Sequence, residues 1–425
     1  MLNREKSAPK GSEIVGLLDI GTSKVVCIIA ALEPSPVPGE PRVTRLLGLG
    51  HLRSRGLKSG VIIDLAEAEA TVRAAIAQAE RMARVTLEEV LVSVSCGRLQ
   101  SSNFSASVDV PGGVIRTDDI DRLMAGGHAF AERDGRTLIH LNRIGYRIDG
   151  VAGASDPRGL AASKLAADLH TVAADEAPVR NLMLVVERCY LNVRALIATP
   201  YASALSATTE EERALGVTCI DIGGGTATVA SFADGHFIHA ATVPLGGHHI
   251  TLDIAQSLQT PLAEAERIKT LYGSLVVAQS DEFETFSFPL AGDEDGALGQ
   301  ATKAELAGII RPRVSNILGL VRERLEKAGV LDFAGERVVL TGGASALVGF
   351  GEFAANALGR PARVATPQPI AGMPHGTASP AFSTVAGLLA VAASGSGEVP
   401  VRRSREALGG GYLERVGEWL KAGFA

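Results

Sequence analysis

Three glycine-rich turns carry the residue types that bind phosphate: Asp19-Ile20-Gly21-Thr22-Ser23-Lys24, Asp221-Ile222-Gly223-Gly224-Gly225-Thr226 and Thr341-Gly342-Gly343-Ala344. A glycine turn lets backbone N–H groups approach phosphate oxygens closely, because no Cβ intervenes. Thr22, Ser23 and Thr226 add hydroxyl donors, and Lys24 adds a point charge. An aspartate at a strand end, as at Asp19 and Asp221, can orient the water shell of Mg2+, which keeps several waters on nucleotide phosphates. Each turn alone is an ordinary hairpin signal. Two of them in matching context, each after an apolar strand ending in Asp, point to related half-domains that close on a nucleotide.

Other chemistries lack their residues. No GxxxxGKS/T occurs, which excludes a P-loop. Gly48-Leu49-Gly50 leads into a basic turn, where the dinucleotide fingerprint needs a helix. His248 and His249 are adjacent, so their side chains diverge, and no third metal ligand stands near. Ser203 and Ser206 have no acid–base partner pattern, and Asp118, Asp119 and Asp121 read as first-turn helix acids. No catalytic residue is assigned. Cys27, Cys96, Cys189 and Cys219 form no CxxC pair and read as small buried residues in a reducing compartment.

The elements that position the turns follow an α/β pattern. Ile14–Ile20 and Val25–Leu32 read as strands, as do Val217–Ile222, Thr228–Phe232 and Val338–Leu340. Leu65–Ala83 has apolar residues at helical spacing, and Thr86-x-x-Glu89 and Thr302-x-x-Glu305 read as capping boxes that open helices. Residues 96–167 mix short strands with one helix announced by Thr117-Asp118-Asp119, a self-contained inserted module. Phe283–Gly299 reads as a solvated acidic loop.

At 425 residues and 46% hydrophobic, the chain can build several cores. Its 41 basic and 47 acidic residues leave a net charge of −6, without the basic excess of a nucleic-acid-coating protein. The N-terminus lacks an apolar signal core, and Val15–Leu32 is interrupted by Asp19 and Lys24, so neither a signal peptide nor a spanning helix is expected.

LDIGTSK (18–24), IDIGGGT (220–226) and VLTGGAS (339–345) resemble the phosphate-1, phosphate-2 and adenosine motifs of the actin/Hsp70/hexokinase superfamily. SRGLKSGVIIDL (54–65), VERCYLNV (186–193), DIAQSLQTPLAEAERIK (253–269) and SPAFSTVAGLLAVA (379–392) resemble the bacterial cell-division FtsA family. The resemblance implies an actin-like, ribonuclease H-like two-domain ATPase fold with an inserted subdomain 1C and a C-terminal amphipathic helix. It implies subdomain 1A at 12–95 and 168–203, 1C at 96–167, 2A at 204–242 and 311–393, 2B at 243–310 and a linker at 394–410.

Carried over by motif, Asp19, Gly21, Thr22, Ser23 and Lys24 line the phosphates of ATP from one side, and Asp221, Gly223, Gly224, Gly225 and Thr226 from the other. Mg2+ is held by Asp19 and Asp221 through water. Gly342, Gly343 and Ala344 back the adenine, and Glu266 and Lys269 face the ribose. Two departures stand out: Thr228 where relatives usually carry Asp, and Thr199 where hydrolytic relatives carry Glu or Gln before a Pro-x-Ala segment. Threonine cannot orient water as a carboxylate or amide does, which implies slow hydrolysis at best.

After a Ser/Gly/Arg-rich stretch, residues 411–425 form an amphipathic pattern. At about 100° per residue, Tyr412, Leu413, Val416, Trp419, Leu420 and Phe424 share one face, and Glu414, Arg415, Glu418 and Lys421 the other. Aromatic residues on a tethered short helix suit an interfacial anchor. By resemblance this is the membrane-targeting helix of a filament-forming protein. The same resemblance implies that it anchors the tail of the tubulin-like protein FtsZ to the cytoplasmic side of the inner membrane at the division site and helps recruit later division proteins. The alternatives are a PilM-like pilus-assembly protein and a small-molecule kinase of the same fold.

Overall fold

The computed structural model describes residues 12–37, 40–132, 135–292, 297–372 and 378–394. Two five-stranded sheets with one topology form its frame. The first has the order Asn192–Ala198, Glu89–Val94, Glu13–Ile20, Lys24–Glu33, Val43–Arg53. The second has the order Ala362–Val364, Arg337–Thr341, Val217–Ile222, Ala227–Ala233, His236–Val243. In each, three consecutive strands form an antiparallel meander, and two later strands add in parallel beside the first of them.

The central strands are near-continuous apolar runs because helices cover both faces. In Lys24–Glu33 every residue between the two ends is buried. Leu65–Ala83 is helical because Asp64 caps it through the Glu67 N–H at 3.0 Å and its buried stripe recurs at helical spacing. Half of that stripe is alanine, and the strand beneath it carries Gly48 and Gly50. A Cβ on Gly50 would lie 1.9 Å from the Ala75 carbonyl oxygen, so the Gly-Leu-Gly segment serves close helix–sheet packing.

Between the second and third parallel elements of the first half, the chain makes a separate antiparallel sheet. Its order is Gln100–Asp109, Lys164–Ala174, Thr137–Ile148, Val151–Ala154, with the helix Thr117–Ala131 against it and a core of its own around Ile115, Leu123 and Leu165. Its strand Lys164–Ala174 pairs with Thr137–Ile148 as far as Ala174 and with Gln100–Asp109 as far as Ala173.

Two sequence expectations are corrected. Thr86-x-x-Glu89 opens no helix: Glu89–Val94 is a strand, since the short β-branched run EVLVSV is claimed by parallel pairing with both neighbours. Phe283–Gly299 is more than a solvated loop. Thr285–Pro289 pairs with Leu298–Thr302, and Phe286 and Phe288 enter the second core, so the stretch contributes two paired strands to the fold. By contrast Thr302 and Glu305 do form a reciprocal capping box, opening the 26-residue helix Lys303–Ala328.

Two helices link the halves. Helix Thr199–Ala207 leaves the first sheet, and helix Ser383–Ser394 returns to it. They cross where Gly387 meets Ala202: a Cβ on Gly387 would sit 1.7 Å from the Ala202 carbonyl oxygen. Gly387→Ala must therefore push the crossing helices apart. We expect a loss of roughly 1–3 kcal/mol in urea unfolding, and an unchanged midpoint would refute this close contact.

Candidate functional site

The first two glycine turns are built alike. Gly21 N–H donates to the Lys24 carbonyl and Gly223 N–H to the Thr226 carbonyl, both at 2.9 Å. The two turns face each other in contact. A Cβ on Gly224 would lie 2.9 Å from Ser23 Cβ, and one on Gly225 would lie 2.4 Å from Thr22 Oγ1. The tip of the small hairpin Leu57–Lys58/Val61–Ile62 bridges them: Gly60 N–H donates to Thr22 Oγ1 at 2.8 Å, and Ser59 abuts Gly225. Because Thr22 Oγ1 accepts there, its own proton is free for another acceptor.

Both aspartates are buried and held by hydroxyls. Ser93 Oγ donates to Asp19 at 2.6 Å. Asp221 accepts from Ser203 on one crossing helix and from Thr384 on the other, the latter at 3.2 Å. Lys24 donates to the Ala381 carbonyl and lies 4.0 Å over the Phe382 ring. Gly342, at φ +85°, packs directly on Asp221: a Cβ would come within 2.2 Å of its carboxylate. The third turn therefore braces the second.

These groups enclose a cavity of about 100 Å3 lined by all five predicted residues of the first turn, Asp221, Gly223–Thr226, Gly342 and Gly343. It has room for several waters or one phosphate group, far less than a whole nucleotide. Thr199 and Thr228 line it too, and the Thr228 hydroxyl is buried without a hydrogen-bond partner. Ala344, Glu266 and Lys269 stand outside this lining but meet beside it at Gly247. A Cβ there would lie 3.1 Å from Ala344 Cβ and 3.6 Å from Lys269 Nζ. Lys269 donates to the Gly247 carbonyl, Thr251 and Glu266 at 3.1, 2.8 and 2.7 Å, so all three of its protons are engaged. Burial opposes charge on Glu266, but Lys269 and the Thr251 hydroxyl hold its carboxyl below the usual range.

His249 Nδ1 accepts the Gly246 N–H at 3.1 Å and caps the helix Gly247–Leu258. That helix rests on the second turn, with Gly247 and His248 N–H donating to the Gly223 and Gly224 carbonyls. The carboxylate contacts of Ser93, Ser203 and Thr384 were not legible in the sequence: a hydroxyl in an apolar strand or a small-residue helix carries no local mark of the carboxylate it will meet. All four cysteines are free and buried. The terminal segment with Tyr412, Leu413, Val416, Trp419, Leu420 and Phe424 lies outside the described residues.

Residues 218–387 match the model of the cell division protein FtsA family, and residues 96–173 match that of the SHS2 domain inserted in FtsA. The cell division protein FtsA of Agrobacterium fabrum is 39% identical over 98% of this chain and 96% of its own length. The chain belongs to the FtsA family. It is thus a cell-division protein of actin-like fold. Among solved structures, the PilM–PilN type IV pilus biogenesis complex aligns at a TM-score of 0.61 and 17% identity, covering 88% of this chain and 97% of that one. MreB5 of Spiroplasma citri bound to ADP aligns at 0.52 and 16%, covering 90% and 96%. These two likenesses concern the fold alone; the sequence relation separates this FtsA-family chain from the pilus alternative.

Burial pushes the Asp19 and Asp221 carboxyls above the ordinary 3.8, with Lys24 and the hydroxyls opposing only in part. The folded state then holds these protons more tightly than the unfolded chain. That stabilisation is present below about pH 4 and lost as pH rises through the raised folded values. Asp19→Asn should raise the melting temperature of the ligand-free protein at pH 7, with the gain shrinking towards pH 4. A melting temperature lower than wild type at pH 7 would contradict the burial argument.

Proposed function

We propose that this protein binds Mg-ATP between its two halves and uses it as a conformational and assembly ligand. The observation that carries the reading is the matched pair of turns, closed by the same hydrogen bond and facing one another across two buried carboxylates and Lys24. The residues fit such a ligand. Turn N–H groups, Thr22, Ser23, Lys24 and Thr226 supply donors for phosphate oxygens, and Asp19 and Asp221 supply acceptors for metal-bound water. The unpartnered Thr228 hydroxyl is one more group awaiting a polar neighbour. Gly342, Gly343 and Ala344 would back the base, and Glu266 with Lys269 would border the ribose. When bound, Mg-nucleotide supplies a polyanion with a cation that compensates the buried charges. Thr199, at the head of a helix that lines the cavity, offers no carboxylate or amide to orient water, so hydrolysis is slow.

The wider role follows from family membership and the terminal sequence. We read the protein as a filament-forming adaptor on the cytoplasmic face of the inner membrane at the division site. Among the described residues no helix is long and apolar enough to cross a membrane. Attachment falls instead to the amphipathic segment at 411–425, whose apolar face contributes about 10 kcal/mol gross if buried in lipid. Ordering and confinement offset much of that, so one tail binds reversibly and a filament of tails binds firmly by avidity. Region 243–310 would receive the FtsZ tail, and later division proteins would join the assembly.

Flotation with anionic liposomes tests both halves of this reading. The full chain should float and carry FtsZ with it, more strongly with Mg-ATP, while a chain ending at Ala407 should stay at the bottom. Equal flotation of both, or of neither, would place Trp419 and its neighbours on the protein's own surface. Asp19→Asn should weaken Mg-ATP binding about tenfold or more, as expected for losing a charged group's contact.

A further inference from the structure

No described residue of the inserted module lines the cavity, yet one of its side chains touches the cavity's framework. His140, in the strand Thr137–Ile148, is completely buried, and its Nε2 accepts the Ala198 N–H at 2.9 Å. Ala198 is the residue from which the helix Thr199–Ala207 springs. Thr199, next in the chain, lines the cavity, and Ser203, one turn on, donates to Asp221. The helix is buried along almost its whole length, so a shift of the backbone at its head would be passed to the packed turns behind it.

The imidazole is fixed in place. Its ring meets Tyr201 edge-on at 4.9 Å and Phe237 at 5.9 Å, the first from the crossing helix and the second from the edge strand of the second half. Burial pushes His140 down to about 3, so the ring stays neutral and Nε2 remains an acceptor near neutral pH. The Ala198 N–H is buried as well, and without His140 it would lose this partner.

We propose that His140 is a positioning residue through which the insert holds the head of the nucleotide-facing helix, coupling displacement of the insert to occupancy of the cleft. The inference rests on the reading of the cleft as a Mg-ATP site. By linkage it works in both directions: a ligand that fixes Thr199 and Asp221 steadies the insert, and a partner that shifts the insert changes nucleotide affinity.

The test is amide hydrogen exchange on the full chain with and without Mg-ATP, for wild type, His140→Phe and His140→Gln. Phenylalanine keeps a ring without an acceptor, while glutamine returns an amide oxygen near the Nε2 position. In wild type, Mg-ATP should slow exchange at the two glycine turns and also at residues 137–145 of the insert. His140→Phe should keep the protection at the turns, lose it at the insert and bind Mg-ATP roughly threefold to tenfold more weakly. His140→Gln should restore both. If wild-type turns are protected but the insert is not, the coupling is wrong and the nucleotide site stands. The coupling is equally wrong if His140→Phe behaves as wild type. No protection at the turns of wild type overturns the site and the coupling together.

Discussion

Two carboxylates that both sit out of water, on strand ends that face each other, set the terms for the rest of this molecule. Asp19 and Asp221 repel one another and resist ionisation, and only Lys24 and a few hydroxyls counter this. Holding them there requires strands buried on both faces, a glycine wherever a backbone must approach, and donors delivered from remote segments. The first half supplies Ser93 to its own aspartate. The second aspartate depends on both crossing helices, through Ser203 and Thr384. The charge cluster is thereby tied to the connection between the halves, and two buried carboxylates side by side favour a ligand that brings its own metal cation.

The repeated frame also makes its asymmetries legible. Asp19 pairs across its strand with Val26, and Asp221 with Thr228. The same register position carries a methyl in one half and a hydroxyl in the other, and only the hydroxyl lines the cavity. The first turn uses Thr22, Ser23 and Lys24 where the second uses Gly224, Gly225 and Thr226. One side brings side chains and the other makes room for them.

Much of this was readable in the sequence because it is local. The turns, the strands that feed them and the helix Leu65–Ala83 are set by spacing within a dozen residues. What escaped depended on distant partners. Thr86-x-x-Glu89 satisfies a helix-start pattern, but the parallel pairing that makes Glu89–Val94 a strand comes from residues far along the chain. The acidic stretch near 281–295 hid Phe286 and Phe288 because charge density masks two buried rings in a five-residue strand. Ser203 was judged as a nucleophile and found wanting, while its role is to steady a carboxylate from another element. Gly48-Leu49-Gly50, weighed as a phosphate motif, is explained by the alanine face it accommodates.

The contact between Gly387 and Ala202 has a mechanical meaning. Where two helices touch backbone to backbone there is little freedom to slide, but they can still turn about the point of contact. That point lies on two helices that link the halves, so a swing of one half against the other would turn about it. Displacement is smallest there and grows with distance, and the parts farthest out travel most. A small shift at the glycine turns would therefore become a larger one at the rim of each half.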